Sequence, residues 1–236
     1  MKNSYLIHGK HASLAAIQNK NRNIVEILCS DNFFNEHEEL ISKRNFKITD
    51  QKKLNQLVDN SPHQGIIVKT TPITINDITK LNLLEPQCTI AILDQITDSH
   101  NIGAILRSAA AFGIHSVILT SKNSPDENGV MAKTASGGLE EVNLVKVVNL
   151  QNTISYLKKE GFWIIGMDGD TRTNVSPKIL EGKTAIILGS EGTGMRQLTK
   201  KHCDIIAKIP MSPRMESLNV STAAAIAFSQ AFSIKK

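Results

Sequence analysis

The sequence predicts an α/β fold in two parts: a small mixed unit, then a larger one built on a parallel sheet. Three observations predict it. Short apolar runs alternate with stretches of helical periodicity from Tyr5 to Ile234. The texture changes across a segment bounded by Pro72 and Pro86. Beyond that segment the strands are short, continuous and apolar, as expected when both faces of a parallel sheet are covered. At 236 residues the chain has room for one large or two modest domains.

The front unit opens with the apolar run Tyr5-Leu6-Ile7, ahead of His8-Gly9. Leu14 to Ile17 suggest a helix, Ile24 to Leu28 a strand, Glu36 to Arg44 a second helix and Phe46 to Ile48 a strand. A helix follows over Asp50 to Asp59, where Leu54, Leu57 and Val58 share a face, and Gly65 to Val68 closes the unit as a strand. This places the front unit over residues 1–72. Residues 73–87, with a short polar helical stretch between two prolines, read as a linker. The second unit, 88–236, holds strands at Thr89–Leu93, Ser116–Leu119, Trp163–Met167, Thr184–Leu188 and Ile205–Ile209. Its helices are expected at Ile102–Phe112, Thr153–Glu160, Met195–Lys200 and Val220–Ile234.

Composition bounds the function. Hydrophobic residues make up 41% and charged residues 21%, the balance of a soluble globular protein. Aromatic residues are only 4%, which disfavours a base-stacking surface. The net charge of +5 is compatible with a nucleic-acid partner without demanding one. The three cysteines, Cys29, Cys88 and Cys203, form no C-x-x-C pair, so neither a zinc ribbon nor a redox dithiol is indicated. Small thiols in a reducing cytoplasm are expected. The opening residues lack the apolar core of a signal peptide, and no run of about 18 apolar residues predicts a membrane span.

Three places can carry chemistry. The first is Asn101-Ile102-Gly103-Ala104-Ile105-Leu106-Arg107. Asn101 is expected to N-cap the helix. Ile102, Ile105, Leu106 and Ala109 form its buried stripe. Arg107 lies off that stripe, beside Gly103, Ala110 and Ala111, where another backbone or a ligand can come close. An isolated helical arginine is ordinarily just solvated. The second is Gly189-Ser190-Glu191-Gly192-Thr193-Gly194, directly after a strand. Its glycines allow close backbone approach to a ligand. It fits neither the dinucleotide fingerprint nor the Walker loop. Glu191 would repel a phosphate there. The third is Ile209-Pro210-Met211, followed by Glu216-Ser217-Leu218-Asn219-Val220-Ser221. Ser217 or Asn219 can cap the terminal helix, which accounts for one polar residue but not for the cluster.

Taken together and in order, these segments resemble the signature of the SpoU (TrmH) family of RNA ribose methyltransferases. N-x-G-x-x-x-R matches Asn101, Gly103 and Arg107; G-x-E-G-x-G matches Gly189 to Gly194; I-P-M with S-L-N-V-S matches Ile209–Met211 and Ser217–Ser221. The front unit is similar to the ribosomal-protein-like RNA-binding domain of the family's 23S rRNA guanosine-2′-O-methyltransferases, through Ile7-His8-Gly9, His11-Ala12 and His63-Gln64-Gly65. One departure is Ser212-Pro213-Arg214-Met215-Glu216, where the family often carries a glycine; proline predicts a differently shaped loop.

The resemblance implies a trefoil-knotted methyltransferase domain that works as a cytoplasmic homodimer, without membrane attachment. It implies S-adenosylmethionine as methyl donor, contacted by Gly189, Ile209 and Leu218, and no metal. The acceptor would be a ribose 2′-hydroxyl in RNA, a guanosine of 23S rRNA being the first expectation. Arg107 would act on that hydroxyl. Because an arginine stays protonated, it is expected to clamp an RNA phosphate that helps remove the proton. Asn101, Glu191, Ser217 and Asn219 would orient the groups. A tRNA ribose methyltransferase, a resistance-type rRNA methyltransferase and a non-catalytic RNA-binding assembly factor stay open as alternatives. A Rossmann oxidoreductase is disfavoured by the missing fingerprint.

Overall fold

The computed structural model describes residues 4–235. In the front unit, β1 (Tyr5–His8), β2 (Ile24–Cys29), β3 (Phe46–Ile48) and β4 (Ile66–Thr70) form a four-stranded sheet in the order β1-β4-β2-β3. β4 runs antiparallel to β1 and β2, and β3 parallel to β2. Helices α1 (Lys10–Gln18), α2 (Asp31–Ile41) and α3 (Gln51–Leu57) connect the strands. Helix α2 begins five residues before the expected Glu36. Ser30 sets that start by accepting the Phe33 N–H.

The second unit is a six-stranded parallel sheet in the order β10-β8-β9-β5-β6-β7. Its strands are β5 (Cys88–Asp94), β6 (Ser116–Thr120), β7 (Asn143–Val147), β8 (Trp163–Met167), β9 (Lys183–Gly189) and β10 (Ile205–Ala207). Its helices are α4 (Ser99–Ala111), α5 (Gly129–Ala135), α6 (Gly138–Glu141), α7 (Leu150–Lys159), α8 (Gln197–His202) and α9 (Val220–Phe232). Elements α5, α6 and β7 have no counterpart in the sequence reading. The expected strand to Ile209 stops at Ala207, and the expected helix at Met195 starts at Gln197.

Alternation along β5 splits the core. Ala91 and Leu93 join one apolar cluster with Ile102, Leu106, Met131 and Phe228; Ile90 and Ile92 join another with Ile118, Ile154 and Leu157. The first cluster continues into the front unit through Ile7, Ile17, Ile27 and Val68, so one apolar body spans both sheets.

The 73–87 stretch is packed rather than loose, contrary to the linker expectation. Ile75 pairs with β7, donating to the Leu144 carbonyl and accepting from Lys146 N–H, each at 2.8 Å. A short 3₁₀ turn follows at Ile78–Lys80. Leu81 and Leu83 are then buried in the second cluster. The two leucines supply the apolar surface that makes this stretch part of the larger unit.

Candidate active site

Strand β9 delivers the glycine loop at its C-terminal end, where parallel sheets place their ligand sites. Gly194 N–H donates to the Ser190 carbonyl at 2.9 Å, and Gly192 and Gly194 hold positive φ, closing a tight turn. A Cβ on Gly189 would collide with the Gly194–Met195 peptide. Just past the loop, Arg196 is tied to the buried Asp94 at the end of β5. Its backbone N–H donates at 3.1 Å and its Nε at 2.8 Å, which fixes the loop against the sheet.

Beside the loop lies a cavity of about 410 Å³. Gly189, Glu191, Ile209, Ser217 and Leu218 all line it, so five of the eight expected site residues meet at one place. Asn101, Asn219 and Arg107 are outside the lining. Two of these three are still coupled to the cavity. Asn219 Nδ2 donates to Asn101 Oδ1 at 3.0 Å and to Glu191 Oε1 at 2.6 Å. Asn219 Oδ1 accepts from Ser221 N–H and its hydroxyl, capping α9. Glu191 Oε1 also takes the Val220 N–H at 3.1 Å. One amide thus joins the three motifs.

The Asn101 cap expectation is corrected. Helix α4 starts at Ser99, and Asp98 is the cap, accepting the N–H groups of His100 and Asn101. This frees the Asn101 side chain for Asn219. The Arg107 residue is exposed, and no hydrogen bond or ion pair to its side chain is found among the described residues. It lies about 9 Å further along α4 than Asn101, on a different side of the helix. A single chain therefore leaves it separate from the cavity. The small residue beside it does meet another backbone: a Cβ on Gly103 would stand 2.7 Å from the Met131 carbonyl of α5.

The sequence reading missed Asp168 and Lys208, which also line the cavity together with Glu216 of the third segment. Burial alone would raise the Asp168 carboxyl. The Lys200 ammonium at 2.5 Å and the Asp170 N–H outweigh it and hold the group below the usual carboxylate range. The position of Asp168-Gly169, just past the end of β8 beside β9, was the available signal. The departure at Pro213 resolves as a turn in which Met215 N–H reaches the Ser212 carbonyl, with proline at the second position, where its fixed φ fits.

Residues 88–229 match the SpoU rRNA Methylase family, and residues 6–75 match the family described as RNA 2′-O ribose methyltransferase substrate binding. The chain belongs to the SpoU rRNA methylase family. Among its SpoU relatives, a 23S rRNA (guanosine-2′-O-)-methyltransferase RlmB from Neisseria meningitidis serogroup B is 36% identical over 98% of this chain and 95% of its own. The Salmonella typhi RlmB is 38% identical over 78% of this chain and 77% of its own. The SpoU methyltransferase AviRb from Streptomyces viridochromogenes, solved with AdoMet, superposes with a TM-score of 0.86 at 18% identity, covering 98% of this chain and 90% of that one. An A. aeolicus TrmH/SpoU tRNA modifying enzyme covers only 65% of this chain and 79% of its own, with a TM-score of 0.55 at 25% identity.

Proposed function

We propose that this SpoU protein transfers a methyl group from S-adenosylmethionine to a guanosine 2′-hydroxyl in 23S rRNA. The observation that carries the reading is the Asn219 amide, bonded at once to Asn101 and Glu191 at the rim of the cavity. Near full-length similarity to RlmB proteins favours rRNA over tRNA as substrate, as does the lower coverage by the tRNA-modifying relative.

The cavity suits the cofactor. Its volume of about 410 Å³ falls within the roughly 300–1,000 Å³ of small-molecule sites. Leu188, Ile209 and Leu218 offer apolar wall, and Gly189 leaves backbone where a side chain would intrude. Asp168, Glu191 and Glu216 outnumber Lys208 and the Lys200 ammonium that pairs with Asp168, leaving the negative balance that a sulfonium and an α-ammonium call for. When bound, S-adenosylmethionine supplies an electrophilic methyl on sulfur. Gly189, Ile209 and Leu218 hold it. Glu191 and Asn219 keep the α9 end and the glycine loop in register, and Asn101 and Ser217 orient the ribose. Arg107, free of protein partners, clamps an RNA phosphate that takes part in removing the hydroxyl proton.

In the same reading, residues 1–72 bind the substrate and 88–236 carry the methyltransferase site residues, with 73–87 packed onto the second unit between them. The catalytic part is trefoil-knotted, and the protein works as a cytoplasmic homodimer. Among the described residues no helix is long and apolar enough to cross a membrane.

Calorimetry with a chelator present should show S-adenosylmethionine binding; folded protein that fails to bind it would end the proposal. Arg107→Lys keeps the charge and loses the planar fork. It should lower single-turnover methylation by on the order of a hundredfold while cofactor affinity and melting temperature hold. Wild-type turnover in that variant would return Arg107 to an ordinary solvated side chain.

A further inference from the structure

A buried cluster of charged groups lies away from the cavity, between the two units. Arg22, in the loop between α1 and β2, has a fully buried side chain. Its Nη1 meets Glu127 Oε1 at 2.5 Å, and its Nη2 and Nε fork onto the two oxygens of Glu140 at 2.6 and 3.1 Å. Glu127 precedes the α5 cap, and Glu140 lies on α6; their side chains are 0% and 4% exposed. Each remaining polar atom is answered from one unit or the other. Tyr5 hydroxyl donates to Glu127 at 2.6 Å, and Asn19 Nδ2 donates to Glu140 at 2.8 Å. The backbone N–H groups of Ile73 and Thr74 reach Glu127 Oε2 at 3.0 Å each, and the Thr74 hydroxyl at 2.7 Å.

A hydrophobic contact tolerates sliding. A planar fork between two buried carboxylates does not, because every shift leaves a desolvated charge unpaired. The fixed geometry also has a route to the site. Helix α5 abuts β1 so closely that a side chain on Gly129 would strike the Leu6 carbonyl. The same helix touches α4 through Thr134, whose hydroxyl lies 3.3 Å from His100 Nδ1, one residue before Asn101.

We propose that Arg22 is a positioning residue for methyl transfer. With Glu127 and Glu140 it locks the RNA-binding unit to α5 and α6, so the span from bound RNA to reacting ribose is set by packing rather than by a tether. The assignment rests on the rRNA methyltransferase reading. It predicts that the lock governs which ribose is methylated.

Arg22→Lys tests it, since one ammonium cannot hold both carboxylates in the fork geometry. Glu140→Gln is the milder second variant and keeps an acceptor for Asn19. Cofactor affinity by calorimetry should stay within about twofold of wild type, because the cavity is untouched. Single-turnover methylation at saturating rRNA fragment should fall by roughly ten- to a hundredfold at the native guanosine. Methyl groups should also appear on flanking riboses when products are mapped. Hydrogen exchange of the Ile73 and Thr74 amides should quicken by about tenfold or more.

A rate that falls only in step with the folded fraction, with a single methylated ribose, overturns the proposal. So does wild-type rate and site choice in a variant whose Ile73 and Thr74 amides exchange faster. Wild-type protein that binds no S-adenosylmethionine sinks the methyltransferase reading instead. The exchange arm still decides the lock in that case, and unchanged protection in Arg22→Lys overturns it.

Discussion

Asp98 and Asn101 stand three residues apart at one helix end, and the structure separates their work. Asp98 satisfies two N–H groups of α4, whereas Asn101 faces Asn219. Asp98→Ala should therefore cost about 1 kcal/mol of stability with little effect on cofactor binding. Asn101→Ala should leave the melting temperature nearly intact and slow methyl transfer by about tenfold or more, as expected when an orienting hydrogen bond is lost. Thermal melts beside single-turnover assays decide it, and the opposite pattern would make Asn101 a cap after all. The sequence pointed to Asn101 as a site residue but also made it the helix cap, because Ser99 and His100 carry no apolar signal that α4 has already begun. Asp168 was legible only from its place just past the end of β8, because its partner Lys200 lies 32 positions away, beyond β9, on α8. A second residue-scale consequence concerns pH. Burial lowers the His8 imidazole to about 4, and the Lys133 ammonium and the His63 ring add to the effect. In the unfolded chain the same ring titrates near 6.5. Above about 6.5 both states are neutral, so His8 contributes no pH dependence there. Between 6.5 and 4 the unfolded state binds the proton first, so stability falls as pH falls. Burial also lowers His63, again with Lys133 adding, so it acts in the same direction. An NMR titration should find the low His8 midpoint, and Lys133→Gln should raise it and lessen the loss of stability between pH 7 and 5. A His8 midpoint at 6.5 in wild type would refute this.

At the scale of elements, the contact between α4 and α5 depends on Gly103. A Cβ there would stand 2.7 Å from both the Met131 carbonyl and Thr134 Cβ. Gly103→Ala should push the helices apart and cost about 1–3 kcal/mol. The strain falls on the helix that carries Asn101, so cofactor-independent stability and methyl transfer should drop together. Urea unfolding at wild-type stability would show that the helices are not in contact there. The same region marks the limit of the sequence. The strands β5, β8 and β9 were legible because buried parallel strands read as unbroken apolar runs. Strand β7 was not, because Lys146 interrupts it. That lysine is accommodated in a buried strand by reaching Asp126 at 2.5 Å. Helices α5 and α6 span only seven and four residues, too short for helical periodicity to register in windows of about 11–18 residues. Their ends are defined by Gly137 and Ser136 in left-handed conformation, a geometry visible only once the chain is folded.

At the scale of the molecule, the question is where the catalytic unit begins. Composition put a linker over 73–87 because prolines and polar residues punctuate it. Packing puts Leu81 and Leu83 inside the second apolar cluster and Ile75 on the outer edge of β7. Removing the segment would uncover both leucines' burial sites and leave the β7 edge unpaired. Two buried leucines contribute roughly 3–6 kcal/mol, and two backbone hydrogen bonds add about 1 kcal/mol each. Set against the 5–15 kcal/mol that typically separates folded from unfolded domains, that loss is close to decisive. A fragment of residues 72–236 should therefore fold and bind S-adenosylmethionine with nearly the affinity of the whole chain. A fragment of residues 88–236, which begins where the family match begins, should melt far lower or fail to fold. Glu127 and Glu140 do not reverse this expectation, because in both fragments they lose Arg22 but regain water. Both fragments should lose the salt-dependent part of RNA affinity, since the front unit supplies phosphate contacts. Melting curves and calorimetry on the two fragments test the boundary directly. Equal melting temperatures and equal cofactor affinities would make 73–87 a passive tether, and the apolar continuity of the catalytic unit would then end at Cys88.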